Sequence, residues 1–474
     1  MTFKQYINGE LVEGKGKINT VYDPSTDEVV GTVAGATAGQ TNDALKAAEE
    51  AFKGWSETPV NERAAWLYRY KEACLAERDK LIKLVSAESG RTYAFACADV
   101  DWWLTSLSYY AEEAKRVNGE ILPSPGRGIH HLVSRQPVGV TVGHIAWNYP
   151  LGNASIKAAP AIASGCTCII KPSSETPLAT LYLGEIAARI GFPKGVLNIV
   201  SGPSGEVAKT LNESNIPRMI TLIGSYETGL QVMRQGATSL KKYSLELGGN
   251  APVVVMNDAD IDEVAANIVA KKTGFAGQTC VNYNRIYVHQ DVYEPLCDKI
   301  AQLLSTVKLG RWKDEGNIMG PVINKQARER MLELIDDAVK GGAKLVCGGK
   351  VPEGFEKGCY ITPALLKDVT DDMRVSTEEI FGPIIPVQPI RTIEEGILKS
   401  NNTIYGLSAY YFGNNAQEIS QYCENVQAGE IFVNGAGGSE FTPHAGVKQS
   451  GIGCDKSKWS LDEYYDFKMV AIKV

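Results

Sequence analysis

Three short stretches carry side chains that could act together on a carbon–oxygen double bond. In "TGFAGQTCVNYNR" (273–285) a small-residue lead-in precedes Cys280. A thiol attacks only as its thiolate, so this position asks for an activating environment, which a loop amide or helix N-terminus could supply. Gly277 lets the backbone bend tightly just before it. In "YSLELGGNAP" Glu246 lies in an apolar setting ahead of Gly248 and Gly249. Partial burial would raise its carboxyl toward the range of a general base. In "HIAWNYPLG" Asn148 follows an apolar run, at the strand end where open α/β sheets gather ligands, and its amide could donate to an oxyanion. Each stretch alone also reads plainly, as a buried thiol, a loop carboxylate and an ordinary turn. Together they supply nucleophile, base and oxyanion donor.

Such a set must be positioned by regular elements. The runs "GVTVGHIA" (139–146), "CTCIIKP" (166–172), "VLNIVSG" (196–202) and "RMITLIG" (218–224) predict strands. Between them "LGNASIKAAPAIASG" and "LATLYLGEIAARIG" predict helices, so the strands form a parallel sheet covered on both faces. The pattern restarts after "ELGG". Strands are expected at "APVVVM", "RIYVH", "GPVI", "AKLVCGG", "IIPVQPI" and "LSAYYFG", with helices at "DEVAANIVAKKTG", "VYEPLCDKIAQLLSTV" and "QARERMLELIDDAVKGG". The segment 122–139 and the tail "EYYDFKMVAIKV" fit neither unit and predict strands of an arm that pairs across subunits, a local hairpin being the alternative.

The 474 residues suffice for two or three domains, and 44% hydrophobic and 22% charged residues are ordinary for a globular protein. A net charge of -7 argues against a nucleic-acid or anionic-membrane partner. No apolar run reaches the length of a signal or a membrane span, so the chain reads as cytoplasmic. Ten scattered cysteines without a CxxC pair, and five histidines without ligand spacing, predict reduced thiols and no metal.

In order along the chain, "AWNYP", "KPSSETP", "GSYETG", "LELGGN", "GQTC" and "EEIFGP" resemble the NAD(P)-dependent aldehyde dehydrogenase superfamily, and the likeness runs from "YINGE" to "GVKQSGIG". The resemblance implies an α/β fold: a Rossmann-like cofactor domain (1–121 and 140–246), a second α/β catalytic domain (247–435), and a small β oligomerisation arm (122–139 and 455–474). Residues 436–454 would return to the active site. It implies a homodimer or homotetramer.

The same resemblance implies that Cys280 is the nucleophile, Glu246 the general base, Asn148 the oxyanion donor, and Lys171 part of both the catalytic network and the ribose contact. Ile145, Ala146, Trp147, Ser173, Ser174, Gly224, Ser225, Leu247, Glu379 and Phe381 would bind the cofactor. The implied reaction runs through a Cys280 thiohemiacetal, hydride transfer to the nicotinamide, and a thioester hydrolysed by water activated at Glu246. A CoA-acylating relative would lack that glutamate, and a protein retaining only the fold should have lost one of the three residues.

Ser174 stands where an NAD-preferring pattern carries glutamate, so NADP is expected alongside NAD; alternation points Glu175 elsewhere. The substrate is a small aldehyde. The carboxylate-binding arginines of succinate-semialdehyde enzymes would fall at Ile156 and Gly274, which disfavours a dicarboxylic semialdehyde. Trp102, Trp103, Tyr149 and Phe441 are expected to form an aromatic wall beside Thr279 and Val281, with Glu440 and His444 as polar groups. Lactaldehyde or glycolaldehyde is the expected substrate, with aminoaldehyde or succinate semialdehyde as alternatives.

Overall fold

The computed structural model describes residues 2–124 and 126–474, and two large sheets organise them. The first has eight strands. Its middle is parallel, in the order Lys242–Glu246, Pro217–Ile223, Val140–His144, Thr167–Lys171 and Leu197–Ile199. Their residues are mostly buried, as expected for parallel strands covered by helices on both faces. Helix Gly152–Ser164 is buried along its whole length. Short antiparallel strands flank the parallel core: Gly451–Ile452 beside Lys242–Glu246, and Gln5–Ile7 with Glu10–Val12 at the other end. Chain order runs outward from Val140–His144 in one direction and then reverses, which opens a crevice at the C-terminal ends of Val140–His144 and Pro217–Ile223.

The second sheet has seven strands, ordered Lys344–Cys347, Ala364–Lys367, Ile384–Ile390, Arg285–His289, Pro252–Val255, Ser408–Phe412 and Glu430–Val433. All pairs are parallel except the first. The expected strand "GPVI" does not form. Met319 makes a single bridge to Leu309, and Val322 and Ile323 are buried in an extended loop without a ladder partner.

Tyr465–Lys473 pairs antiparallel with Ile129–Pro137 over nine residues, and Glu120–Leu122 pairs with the other edge of Ile129–Pro137. The two strands expected to pair across subunits pair here with each other within one chain, as in the local alternative, and the three-stranded sheet takes in residues 120 and 121. Pro125 of the expected arm lies outside the described residues. The arm leaves Phe467, Met469 and Ile472 exposed. Among the described residues no helix is long and apolar enough to cross a membrane.

Candidate active site

The crevice of the first sheet is where Asn148 lies. The turn that carries it is clamped from beneath. Asp99 accepts from the N–H groups of Leu151 (3.3 Å) and Gly152 (2.9 Å), an anion at the start of helix Gly152–Ser164. Arg91, fully buried, pairs with Asp99 at 3.8 Å and donates to the Asn148 carbonyl. Its guanidinium lies 4.5 Å from the Tyr149 ring centroid and 4.0 Å from that of Phe275. Asn153 Nδ2 donates to Asn148 Oδ1 at 3.1 Å, which leaves Asn148 Nδ2 facing the cysteine loop, where it donates to the Gln278 carbonyl at 3.3 Å.

That loop follows helix Ile261–Thr273. Phe275 (φ 48°), Ala276 (φ 51°) and Gly277 (φ 71°) all adopt the left-handed region. For Phe275 and Ala276 this strain costs about 1–2 kcal/mol each. Asn282 Nδ2 donates to the Gly277 carbonyl at 2.6 Å, and Gln278 Oε1 accepts from the Ile323 N–H at 2.8 Å. A Cβ on Gly277 would lie 2.5 Å from the Gly382 carbonyl oxygen, so the tight bend admits only glycine. Cys280 emerges half-buried at the cleft.

Glu246 ends its strand, and its Oε1 lies 3.3 Å from His444 Nε2. The Cys280 sulfur, a Glu246 oxygen and a His444 nitrogen all lie within 4.8 Å of one another. Burial, and then the Glu246 charge, push the Cys280 thiol up to about 12, while its hydrogen bond to His444 works the other way. Cys280, Glu246 and Asn148, the residues singled out from sequence, all line one cavity.

A cavity of about 500 Å³ continues from Cys280 and Glu246 along the crevice. Ile145, Ala146 and Trp147 form one wall, with Lys171, Ser173 and Ser174 beyond them, and Gly224 and Ser225 lie opposite. Ser225 Oγ accepts from the Thr228 N–H at 3.3 Å and caps helix Tyr226–Gly236, whose first N–H groups suit a diphosphate. Lys171 is buried and donates to the Pro172 carbonyl (3.2 Å), and burial lowers its ammonium to about 8. Glu379 accepts from the Gly249 N–H at 2.8 Å, and burial raises it to about 8. Phe381 meets Trp147 edge-on at 5.4 Å. This lining fits a dinucleotide: an amide-rich helix start for phosphates, a lysine in the same cavity and the Glu379 carboxyl to hydrogen-bond ribose hydroxyls.

Three expectations need correction. The Leu247 side chain lies in the apolar core beside Gly229, and Gly248 takes its place at the cavity. Trp103 is buried in the first core, edge-on to Tyr70 at 5.6 Å, and contributes nothing to an aromatic wall. Glu175 does face the cavity rim, where Asn324 Nδ2 donates to it at 3.3 Å.

Of the remaining wall residues, Trp102 and Tyr149 meet each other, whereas Phe441 packs elsewhere. Trp102 meets Tyr149 edge-on at 5.7 Å and packs against Gly152, where a Cβ would fall 2.1 Å from its ring. Thr279 and Val281 flank Cys280, with the Val281 carbonyl held by the Tyr410 hydroxyl at 2.7 Å. Glu440 accepts from Ser106 Oγ at 3.3 Å. Phe441 is exposed against Tyr109 at 5.4 Å. Sequence reasoning missed two neighbours. Lys456, in the left-handed region at φ 58°, places Nζ 4.5 Å from the Trp102 ring centroid and interacts with Glu440. Glu430 holds His444 Nδ1 at 2.9 Å. Nothing in their local sequence signals either contact.

The family model for the aldehyde dehydrogenase family matches residues 11–470. The chain belongs to the aldehyde dehydrogenase family. It is 37% identical over 471 residues to a glutarate-semialdehyde dehydrogenase of Pseudomonas putida, covering 99% of this chain and 97% of that one. It is 36% identical to an NADP(+) succinate-semialdehyde dehydrogenase of Escherichia coli, covering 98% and 97%. Among solved aldehyde dehydrogenases, the Escherichia coli lactaldehyde enzyme superposes with a TM-score of 0.97 at 32% identity, covering 100% and 99% of the two chains. A 3,6-anhydro-L-galactose dehydrogenase solved in complex with NAP superposes equally well, with a TM-score of 0.97 at 34% identity over 100% of each chain.

Proposed function

We propose that this aldehyde dehydrogenase oxidises a short aldehyde with a distal carboxylate, of the succinate- or glutarate-semialdehyde class, to the dicarboxylate with NAD or NADP. The observation that carries this reading is the full-length similarity to enzymes named for those substrates. It displaces the hydroxyaldehyde expected from the missing arginines, and Lys456 supplies the reason. Ile156 and Gly274 are indeed not basic, but Lys456 brings an ammonium to the Trp102 wall from a different part of the chain. Its charge beside Glu440 also removes the attraction that a cationic aminoaldehyde would need.

In this reading the Cys280 sulfur adds to the aldehyde carbon. The oxyanion accepts hydrogen bonds from Asn148 Nδ2 and the Cys280 N–H, each such donor contributing about 3 kcal/mol. The carbon of the Cys280 thiohemiacetal would give its hydride to a nicotinamide cofactor held along the Trp147 wall, leaving a thioester on the sulfur. Glu246 then takes a proton from water, the water oxygen attacks the thioester, and the C–S bond breaks to leave the carboxylate. The exposed apolar face of the arm supports a homo-oligomer, which light scattering tests.

The function is tested by kcat/KM for succinate semialdehyde, glutarate semialdehyde, lactaldehyde, glycolaldehyde and an aminoaldehyde, followed by reduced-cofactor absorbance. The two semialdehydes should lead. A clear lead for lactaldehyde or glycolaldehyde would overturn the reading.

A further inference from the structure

His444 and Glu430 have no part in the steps above, yet they complete a chain of contacts that ends on the nucleophile. Glu430 Oε2 lies 2.9 Å from His444 Nδ1, and His444 Nε2 faces both Glu246 Oε1 (3.3 Å) and the Cys280 sulfur. Resting on the reading of Cys280 as nucleophile, we propose that Glu430 and His444 form an acid–base relay that takes the Cys280 proton and holds the sulfur as a thiolate, distinct from the water-activating Glu246.

The geometry leaves the imidazole little choice of orientation. The backbone of His444 is bridged to Asp455 in both directions, at 2.8 Å each. Asp455 is itself pinned by Lys157 at 2.6 Å in a buried ion pair. Glu430 begins an edge strand of the second sheet, while Glu246 ends a strand of the first, so the ring is held between the two sheets. Side chains at both nitrogens fix which atom faces sulfur. The charged and titratable groups around it are Glu246, Glu430, Cys280, Cys454, Asp455 and, from helix Ile261–Thr273, Lys271, which faces Cys280 and Glu430. Burial disfavours the imidazolium, but hydrogen bonds to Cys280, Glu246 and Glu430 together lift His444 well above its ordinary value.

The proton balance favours two separate bases. The accepting ring is the neutral imidazole with its proton on Nδ1 directed at Glu430: the S–H bond breaks as an N–H bond forms at Nε2, and the raised basicity of the ring holds the resulting imidazolium beside the thiolate. The electron pair stays on sulfur and forms the C–S bond. When water cleaves the thioester, its proton goes to Glu246, and sulfur leaves as a thiolate facing the imidazolium, so the relay is restored. Had Glu246 taken the thiol proton, it would have to lose it again before it could activate water.

The test is the pH profile of iodoacetamide alkylation of the cofactor-free enzyme, with the modified residue located by mass spectrometry. His444→Asn and Glu430→Gln are compared with the unaltered protein, each checked for native circular dichroism, and Glu430→Asp serves as a second carboxylate variant. Burial and the Glu246 charge raise the Cys280 thiol, so alkylation at neutral pH requires the imidazolium to hold the thiolate, and in the unaltered protein Cys280 should alkylate there. Both main variants should be slower there by about 10-fold or more, with the midpoint displaced to higher pH, and with kcat for aldehyde falling more than KM rises. Glu430→Asp should recover part of the rate. Unchanged alkylation profiles in folded variants, with only KM altered, would overturn the relay and leave His444 as a substrate ligand. Alkylation needs no aldehyde, so this result is independent of the substrate panel and of Cys280→Ala turnover, which test the reading beneath it.

Discussion

The buried guanidinium of Arg91 donates to the backbone carbonyl of Asn148 while pairing with Asp99, so one cation sets the turn that carries the proposed oxyanion donor. Arg91→Met should lower kcat by about 10-fold or more with a smaller change in KM, because the donor shifts rather than disappears. Leaving Asp99 without its cation should also destabilise the fold by about 3–5 kcal/mol. Steady-state kinetics beside a thermal melt separate the two effects, and an unchanged kcat would remove Arg91 from any positioning role.

Cys280→Ala should abolish oxidation while cofactor binding, read by fluorescence quenching, persists. Glu246→Gln should instead accumulate an acyl adduct on Cys280, since the thioester forms but water is not activated. Intact-mass spectrometry after one addition of aldehyde and cofactor checks this. Normal turnover without an adduct would place the water-activating base elsewhere.

Lys456→Met should raise KM for succinate semialdehyde by about 10-fold and leave propanal nearly unchanged, because an unpaired carboxylate near an apolar wall is costly. Glu440→Gln should act oppositely, since Glu440 repels the same carboxylate. Equal effects on charged and neutral aldehydes would take both residues out of recognition.

Ser174→Glu should weaken NADP binding by about 1–3 kcal/mol and NAD far less, from a carboxylate brought near the 2′-phosphate. Titration of both cofactors measures it. Glu175, held by Asn324 at the same rim, provides a control, since Glu175→Gln should favour NADP.

Burial lowers the Lys171 ammonium to about 8, so the group is charged below that pH and neutral above it. A charged lysine attracts the anionic cofactor. Cofactor KM should therefore stay flat below about pH 8 and rise above it, and the rise should vanish in Lys171→Gln. A profile still rising in that variant would assign the titration to another group.

Most parallel strands were readable because each is a short apolar run closed by a helix, but Lys242–Glu246, Ala364–Lys367 and Glu430–Val433 were not among those expected; the candidate site was readable because Asn148, Glu246 and Gly224 lie at or just beyond strand ends. "GPVI" misled because Val322 and Ile323 are buried like strand residues but have no neighbouring ladder. Trp102 and Trp103 are adjacent in a helix, where successive side chains point about 100° apart; one turns to Tyr149 and the other to the core. Leu247 follows Glu246, but its side chain turns into the core while the backbone delivers Gly248 to the cleft. Lys456 and Glu430 were illegible for another reason. Their partners, Trp102 and His444, are brought to them by tertiary packing, and no local period encodes that.

The backbone bridge between His444 and Asp455 bears on how the protein is born. Cys280 leaves the ribosome long before His444, and the edge strand Gly451–Ile452, which closes against Lys242–Glu246, follows later still. A nascent chain thus exposes the thiol without the groups that would make it reactive. Ribosome-held chains stopped ahead of His444 should accordingly be inert toward aldehydes and slow to alkylate, so that synthesis order itself shields the cell's reactive carbonyls and the unfinished enzyme from each other.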